Sequence, residues 1–361
     1  MQIRFVPAAL SALVATVPFA AALAQSAGST ERERVTGSTV AIYNLAGNVR
    51  VESGSGSDVT VDVTRGGRDA RDLRVVTADI RGRNTLVVQY PDDDIVYSNA
   101  ARGRRSGTYR NDMRINGDGT WGGESRNGRK MRIKSSGDGS EAWADLVIRV
   151  PAGKTVAVYL AVGELTSANV DGDIRLDVNS ATVSARGHRG TLNIDAGSGG
   201  VTVSDARVRN LSIDVGSGGV SLDDVQSEKC VIDTGSGSVR GRMARCGTLS
   251  IDVGSGGVTL DQVRSDNTLI DSGSGSVRLD LETAPSSLTI DTGSGSVALT
   301  LPATLSADVN VETGSGGITS DFPVRTSRVD RNSLRGTIGA GASKIRVETG
   351  SGSITLRKAS L

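Results

Sequence analysis

The sequence has few aromatic residues and prolines, and almost no cysteine or histidine. Phenylalanine, tryptophan and tyrosine make up 3% of the 361 residues, beside 7 prolines, 2 cysteines and one histidine. So small an aromatic content does not suit a thick globular core or an aromatic cofactor pocket. It suits thin, stacked sheets whose interior is filled by smaller aliphatic side chains.

Charge of one sign is not in excess either, and long hydrophobic runs are absent after the N-terminus. The formal net charge is +1, from 41 Lys and Arg against 40 Asp and Glu. This balance predicts no nucleic-acid partner and no charged attraction to a membrane surface. Beyond residue 24, no segment approaches the roughly 20 apolar residues of a membrane-spanning helix, so no membrane span is expected.

The N-terminus is typical of a secretory signal peptide. Residues 1–4 (MQIR) precede an apolar run over residues 5–20 and an Ala-Leu-Ala sequence at 22–24, which matches the order of a charged region, an apolar region and a small-residue cleavage site. We predict a signal peptide over residues 1–24. No cysteine follows the apolar run, so no lipid anchor is expected. The predicted location is exported: periplasmic, secreted or at the cell surface.

Glycine, in contrast, is abundant, with 47 residues, and many of them belong to a repeat. The segment IDTGSGSV at residues 232–239 recurs with starts at 194, 213, 232, 251, 270, 290, 311 and 347. The first four steps are 19 residues long, and we interpret the last step, of 36, as two units with a degenerate copy near Val329 and Asp330. A period near 19 predicts a stacked repeat, because one such unit cannot bury its own apolar face.

Each repeat unit combines two strand patterns with a glycine turn. Apolar residues alternate on both sides of the turn, as in residues 211–215 (LSIDV) and 220–222 (VSL) around the GSGG of 216–219, which is strand periodicity. Rungs about 4.8 Å apart would form parallel sheets around Val, Ile and Leu. The predicted fold is all-β: a β-solenoid, or single-stranded β-helix, with rungs of about 19 residues and no assigned handedness.

The third and seventh positions of the repeat change together. Turns that end in serine, as at Ser238, have a hydroxyl residue such as Thr234 at the third position, whereas turns that end in glycine mostly have Ala or Val there; Thr313 with Gly317 is an exception. We interpret this as a pair of hydroxyls that closes the turn. The pattern is architectural and argues against eight copies of an active site.

The repeat divides the mature chain into three segments. Residues 25–95 are predicted to be an N-terminal β-strand segment, 96–140 a flexible insertion rich in Gly and Arg, and 141–361 the β-solenoid domain. Between residues 99 and 135 there are about 10 Arg and Lys against three acidic residues, and the strand pattern is almost lost there.

The insertion combines basic and aromatic side chains. One hypothesis is an arm that binds anionic envelope polymers or acidic glycans and stacks sugars on its aromatic rings; the alternative is a solvated, disordered loop. Binding through such an arm would be sensitive to salt. The residues concerned are Arg102, Arg104, Arg105, Arg110, Arg126, Arg129, Lys130, Tyr97, Tyr109 and Trp121.

The two cysteines, Cys230 and Cys246, fall in adjacent rungs. Cys230 takes a position that leucine holds in neighbouring repeats, so its side chain is expected to point inward. An exported protein can form a disulfide, but the repeat positions of the two residues differ by three, which does not guarantee facing geometry. A disulfide and two buried free thiols therefore remain as alternatives.

Several motifs imitate catalytic or metal sites. The Asp-Thr-Gly-Ser sequences at Asp233 and Asp291 resemble the loops of aspartic proteases, but three rungs would separate them by about 14 Å, too far to share a proton. A Ser-His-Asp site is not expected, because the only histidine, His188, is predicted to lie in an exposed bend. Arg240 and Arg242 form the sharpest departure from the repeat and are interpreted as a solvated edge.

Equivalent aspartates should stack as a ladder, one per rung. They could form a calcium-binding strip, since Ca²⁺ takes several carboxylate and carbonyl oxygens, or each could cap its own turn, which we favour. The ladder comprises Asp195, Asp214, Asp233, Asp252, Asp271 and Asp291. We therefore predict no catalytic residues, no cofactor-binding residues, no metal ligands and no cofactor.

Three stretches together resemble the bacterial putative-adhesin β-strand-repeat family, a domain of unknown function related to the head-GIN adhesin domains. They are residues 146–153 (LVIRVPAG), 170–174 (VDGDI) and the closing 336–356, with GTIGAG and IRVETGSGSITL. The resemblance covers residues 36–361 apart from the Arg-rich insertion. It implies an exported β-helical domain with no established catalytic residues.

The expected function is therefore that of an exported, non-catalytic β-helical protein with a role in adhesion or in binding or structure at the cell envelope. Its expected partner is an envelope polysaccharide or another surface protein, contacted through many weak interactions along the rungs. The alternative is a polysaccharide lyase or hydrolase on a β-helix scaffold. That alternative predicts a local cluster of Asp, Arg and Lys that interrupts the repeat.

Overall fold

The computed structural model describes residues 30–98, 101, 108–122 and 128–360. The predicted signal peptide lies outside these residues, as do Arg102, Arg104, Arg105 and Arg126. In the described part, 23 strands form one continuous sheet system and three strands form a second, small sheet. The only helix there is a single 3-10 turn, Ala70–Asp72. The prediction of an all-β, solenoid-like repeat fold is confirmed.

The regular rungs pair in parallel with equivalent residues side by side. Ile213, Ile232, Ile251 and Ile270 face one another in successive strands, and all four are buried, so the 19-residue step is the step of one rung. The strands of this part are β10 (Lys154–Ala168), β11 (Asp171–Arg186), β12 (Arg189–Ser198), β13 (Val201–Ser204), β14 (Arg207–Ser217), β15 (Val220–Ser236), β16 (Val239–Ser255), β17 (Val258–Ser274), β18 (Val277–Leu281), β19 (Ser287–Ser294) and β20 (Val297–Leu301).

The N-terminal segment continues the stack and then closes it. Strand β2 lies parallel to β10, and its two halves also pair with β5 and β9. Beyond these, β4 pairs antiparallel with β5, β3 pairs antiparallel with β9, and β1 pairs antiparallel with β3. The strands are β1 (Thr30–Val35), β2 (Thr39–Ser53), β3 (Val59–Gly66), β4 (Arg74–Ile80), β5 (Arg83–Gln89) and β9 (Trp143–Val150).

The stretch between residues 94 and 134 contains the second sheet. Strand β6 (Asp94–Val96) lies parallel to β8 (Arg129–Lys134), which pairs antiparallel with β7 (Arg110–Ile115). Met131 and Ile133 of β8 are fully buried, so this sheet packs on the same core as the rungs. The composition predicts a flexible insertion here, whereas the described residues form ordered strands.

The C-terminal part differs from the predicted simple succession of rungs. Val329 and Asp330 belong to an antiparallel hairpin and not to a degenerate rung, so that interpretation of the 36-residue step is wrong. Strands β25 and β26 pair on both sides, although the last two residues of β26, Arg357 and Lys358, pair with β20 alone. The strands are β21 (Ala307–Ser315), β22 (Ile318–Ser320), β23 (Arg325–Asp330), β24 (Ser333–Ile338), β25 (Ser343–Ser351) and β26 (Ile354–Lys358).

The glycine turns need glycine because successive rungs stack closely there. At Gly256, which has φ +146°, a Cβ atom would lie 2.1 Å from the carbonyl oxygen of Gly237. Among the described residues, the predicted hydroxyl pair within each turn is not formed. The hydroxyl of Thr349 instead donates to the carbonyl oxygen of Gly295 in the neighbouring rung at 2.9 Å. In the same way, the hydroxyl of Thr313 donates to the carbonyl oxygen of Gly352 at 2.8 Å. The threonine hydroxyls at this position therefore link rungs, whereas the buried hydroxyl of Ser272 has no hydrogen-bond partner in the described part of the chain.

The two cysteines form a disulfide. Cys230 and Cys246 have an S–S distance of 2.15 Å and a Cα–Cα distance of 6.0 Å, which is within the range that a disulfide can bridge. In the register, Cys246 faces Ser227 and not Cys230, so the bond runs diagonally between adjacent rungs. Both side chains are buried, and the bond links β15 to β16 inside the stack.

Candidate functional site

The strongest repeated surface feature is a column of carboxylates on one outward face of the rungs. In each repeat the residue between two buried side chains points outward just before the glycine turn, as Asp233 does between Ile232 and Thr234. The strand register places these residues side by side from rung to rung. In spatial order, the carboxylate column is Asp177, Asp195, Asp214, Asp233, Asp252, Asp271, Asp291, Glu348 and Glu312.

The two ends of the carboxylate column are neutralised by arginines. Arg175 contacts Asp177 at 2.9 Å and Asp195 at 3.2 Å. Burial and the charge of Asp177 still raise the pKa of Asp195, against the opposing effect of Arg175. At the other end Arg346 contacts Glu348 at 2.7 Å, and Arg335 pairs with Glu312.

The centre of the column is open. Asp214, Asp233, Asp252, Asp271 and Asp291 are all exposed, and none of them has an ion pair within the described residues. Their spacing of about 4.8 Å per rung makes a regular row of hydrogen-bond acceptors and negative charge. We call these five residues the central carboxylates. The sequence predicts the six aspartates from Asp195 to Asp291 in this column, because the period places them in register; Asp177, Glu348 and Glu312 are not among the predicted members.

A straight column is poorly suited to hold a metal ion. Ca²⁺ takes six to eight oxygen ligands that converge on one point, whereas neighbouring members of the column come from separate rungs. No group of three or more His, Cys, Asp and Glu side chains in the described residues could hold a metal ion. Asp233 and Asp291 lie three rungs apart in the register, so they cannot form a carboxylate dyad.

His188 is buried, so its prediction as an exposed residue is wrong. The residue is only 1% exposed. It occupies the corner position that other rungs fill with small aliphatic residues, since the amides of Arg189 and Arg207 pair with the carbonyls of Val170 and His188. Burial lowers the pKa of His188 to about 4, against a smaller opposing effect of the Ser167 backbone. The side chain is neutral at pH 7.

The basic insertion is partly neutralised in its described part, although Lys130 stays exposed. Arg110 pairs with Asp112 at 3.1 Å, and Arg132 with Asp94 at 2.8 Å. These pairs leave less positive charge for an anionic polymer than the sequence suggests.

The aromatic residues of the arm are also occupied. Trp121 is buried and packs edge-on against Tyr43 and Tyr159, with ring centroids 6.2 and 5.7 Å apart. Tyr97 is fully buried, and the half-buried Tyr109 donates its hydroxyl to the Tyr97 carbonyl at 2.5 Å. Stacking of sugars on these rings, which the sequence suggests, would require them to leave the core.

A cleft lies outside the regular rungs, and sequence reasoning missed it. Its volume is about 580 Å³, and it lies between the N-terminal strands and the second sheet. Arg129 is held in its wall by the carbonyls of Tyr90 at 2.7 Å and Pro91 at 3.1 Å. The other charged lining residues are Arg71, Asp72, Arg74 and Asp92. They come from separate segments of the chain, so no local sequence motif contains them all.

Comparisons with known proteins identify a family. The sequence profile of the family described as Toastrack DUF4097 matches residues 86–357, about three quarters of the chain. No curated protein matches the sequence. The described residues contain no helix with the length and hydrophobicity needed to span a bilayer.

Among solved structures, the chain is similar to a putative cell adhesion protein from Clostridium sporogenes. The two share 8% sequence identity, and the match covers 92% of this chain and 99% of that chain. The TM-score is 0.23. So low a score carries no argument about fold or function.

Proposed function

We propose a function for this chain as a member of the Toastrack DUF4097 family, to which the match over residues 86–357 shows that it belongs. We propose that it is an exported, non-catalytic β-helical protein that acts in adhesion or in binding at the cell envelope. Its partner would be an envelope polysaccharide or another surface protein. Contact would be made along the repeated outward face and not in one deep pocket.

The observation that carries this proposal is the row of central carboxylates. Each exposed charge contributes only about 0–1 kcal/mol to a contact with a partner. Five equal contacts at the spacing of the rungs would nevertheless add up, because a partner held at one rung is already close to the next. Such a face favours a partner with cationic groups or hydroxyl donors at repeated intervals.

Export is supported by two features of the chain. The N-terminal sequence is typical of a secretory signal peptide, and the disulfide between Cys230 and Cys246 would persist in an oxidising compartment. We therefore propose a periplasmic, secreted or cell-surface location. A direct check is to fractionate cells that express the full chain and to determine the N-terminal residue of the protein, which should be Gln25.

A polysaccharide lyase or hydrolase is the second candidate, and the cleft favours it. The enzyme hypothesis predicts a local cluster of Asp, Arg and Lys that interrupts the repeat; Asp72 and Asp92 line the cleft together with Arg71, Arg74 and Arg129, but the cleft has no lysine among its described lining residues and lies outside the regular rungs. A carboxylate can act as a general base and an arginine can stabilise a developing anion. This candidate predicts a product, whereas the binding proposal predicts none.

One experiment separates the two candidates. Purified protein is incubated with chitosan, dextran and alginate, which are cationic, neutral and anionic polysaccharides. Retention of the protein is measured at low and high salt, and new reducing ends or unsaturated products are measured in parallel. Retention on chitosan that salt weakens, with no products, would support the binding proposal.

Two variants locate the activity. The first changes Asp214, Asp233, Asp252 and Asp271 to Asn, which keeps the shape of the face but removes its charge. The second changes Arg74 to Ala and Asp92 to Asn in the cleft. Loss of retention in the first variant alone supports binding by the column. Products that disappear only in the second variant would replace the binding proposal with the enzyme.

A further inference from the structure

The order of the rungs at the C-terminal end does not follow the order of the chain. Strands β19 and β20 are followed in the sequence by β21 and β22, but they pair in space with β25 and β26. Strands β25 and β26, residues 343–358, therefore form an inserted rung, which we call the closing rung. We call the gap that it fills, between β19–β20 and β21–β22, the slot.

The closing rung is bonded on both sides. Toward β19–β20, the amides of Gly295 and Val297 donate to the carbonyls of Ser351 and Ser353 at 2.8 and 2.9 Å. Toward β21–β22, the amide of Gly352 donates to the carbonyl of Ser315 at 3.1 Å. Without the closing rung, the amides of Gly295 and Val297, the carbonyl of Ser315 and the facing apolar residues would have no neighbour in the slot.

The closing rung also contributes its own core residues. Four of its aliphatic side chains are almost fully buried: Ile345, Val347, Ile354 and Leu356. They continue the same inward columns as the other rungs, since Val347 faces both Ile290 and Val311. Nothing in these contacts is specific to the chain that supplies the rung.

A short connection carries the chain over one strand into the slot. Residues 339–342 (GAGA) leave β24, which pairs with one side of β21, and enter β25, which pairs with the other side. Gly339 and Gly341 have φ values of +62° and +77°. The hydroxyl oxygen of Ser306 accepts hydrogen bonds from the amides of Ala340 and Ala342 at 2.9 and 3.4 Å. We call this connection the hinge.

From this topology we propose that the closing rung exchanges between copies, so that the slot of one chain takes the closing rung of a second copy. The exchanged contacts are the same as those within one chain, because the rung enters the same register. Only the hinge differs between the two forms. Domain swapping of this kind costs little when the exchanged element and its contacts are identical.

The first test traps the exchange in full-length chains. One copy carries Thr289→Cys and the other Arg346→Cys, since these two positions face each other across β19 and β25. The two proteins are unfolded together, refolded and oxidised, and the disulfide is mapped by mass spectrometry. We expect a bond between the two chains at 289 and 346.

The matched control replaces Thr289→Cys with Ser250→Cys. Ser250 lies in the same outward column but two rungs farther from Arg346. The yield of the 289–346 bond between chains should exceed that of the 250–346 bond at least several-fold. Equal yields, or no bond between chains, would overturn the proposal.

The second test shortens the hinge. For the closing rung to enter the slot of its own chain, the hinge must span two strand spacings, about 9.6 Å. This is the distance from Ile338, on one side of Ala307, to Ser343 on the other side. Deletion of residues 340–342 leaves two Cα–Cα steps, which reach at most about 7 Å. We expect a dimer of twice the monomer mass in light scattering, because the rung can then enter only a second copy's slot.

A matched variant keeps the length of the hinge and changes Ala340 and Ala342 to Ser. It should keep the monomer-to-dimer ratio of the unmodified chain. A folded monomer of the deletion variant, with an intact closing rung in hydrogen exchange, would contradict the proposal. If the deletion variant does not fold, the cross-linking test of the full chain decides alone.

Discussion

The chain up to Tyr159 and the rungs after it are stabilised by different kinds of packing. All five tyrosines and both tryptophans lie between residues 43 and 159, and none follows. The first part joins its sheets through rings from distant segments, such as Tyr43, Trp121 and Tyr159. The second part stacks Val, Ile and Leu in register and needs glycine where backbones approach closely.

This difference explains the effects that we expect from substitutions. In the aromatic part, a few large residues each contact several elements, so one truncation removes much buried area. In the repeated part, the buried side chains are smaller aliphatic ones, so each truncation removes less buried area, and single backbone positions at the turns matter more. The predictions below are ordered by the size of the expected effect.

The largest effect is expected at Trp121. Trp121→Ala should lower the free energy of unfolding by about 4 kcal/mol, because a large buried aromatic residue leaves a cavity. Leu249→Ala is the comparison in the repeated part; Leu249 is also buried, and the loss of its smaller side chain should cost about 2–3 kcal/mol. Urea unfolding measures both. Equal costs would remove the distinction between the two parts.

Adding a single methyl group at a glycine turn of the repeated part should lower the free energy of unfolding by nearly as much. Gly256→Ala places a Cβ 2.1 Å from the Gly237 carbonyl oxygen at a φ of +146°, so we expect a loss of about 3 kcal/mol from overpacking and backbone strain. In Gly200→Ala the nearest atom is 3.7 Å away, and the stability should change little. Thermal unfolding of the two variants compares them.

Loss of the disulfide should cost a similar amount. A bond across 16 residues stabilises the folded state by about 3 kcal/mol, mainly by restricting the unfolded chain. The double variant Cys230→Ala, Cys246→Ala should therefore unfold at lower urea concentration, and a reducing agent should shift the unmodified protein in the same direction. No shift with the reductant, once free thiols are detected, would contradict this.

A smaller, pH-dependent effect is expected at His188. Its folded pKa of about 4 lies below the unfolded value of about 6.5, so protonation favours the unfolded chain. Stability should therefore fall with pH below about 6.5, by about 2 kcal/mol between pH 7 and pH 5. His188→Val, which matches the aliphatic corner of other rungs, should lose this part of the dependence. Urea unfolding at both pH values tests the difference.

The repeated part could be predicted from the sequence because its information is local. The 19-residue step sets the register, and the register places Asp195 beside Asp214 and so on along the column. The burial of His188 could have been predicted in the same way, since aligning it with Val170, Ala206 and Val225 places it in a buried column. Its polar side chain and its flanking Gly187 and Arg189 instead suggested an exposed bend.

The remaining features depend on contacts between distant segments. The step of 21 residues from Ile290 to Val311 resembles that between neighbouring rungs, so nothing in the spacing shows that Val347 lies between them. The cleft and the packing of Trp121 also join segments far apart in the chain. The 19-residue period of the repeat gives no information about such contacts.

The contribution of the central carboxylates to binding can be measured by removing their charges one, two or four at a time. Binding of the protein to a chitosan surface is measured after one, two or four of Asp214, Asp233, Asp252 and Asp271 are changed to Asn, each variant with unchanged thermal stability. If the column binds through many weak contacts, affinity should fall in steps, by a small factor for one change and by orders of magnitude for four. Full loss after a single change, or unchanged affinity after four, would contradict binding along the repeated face.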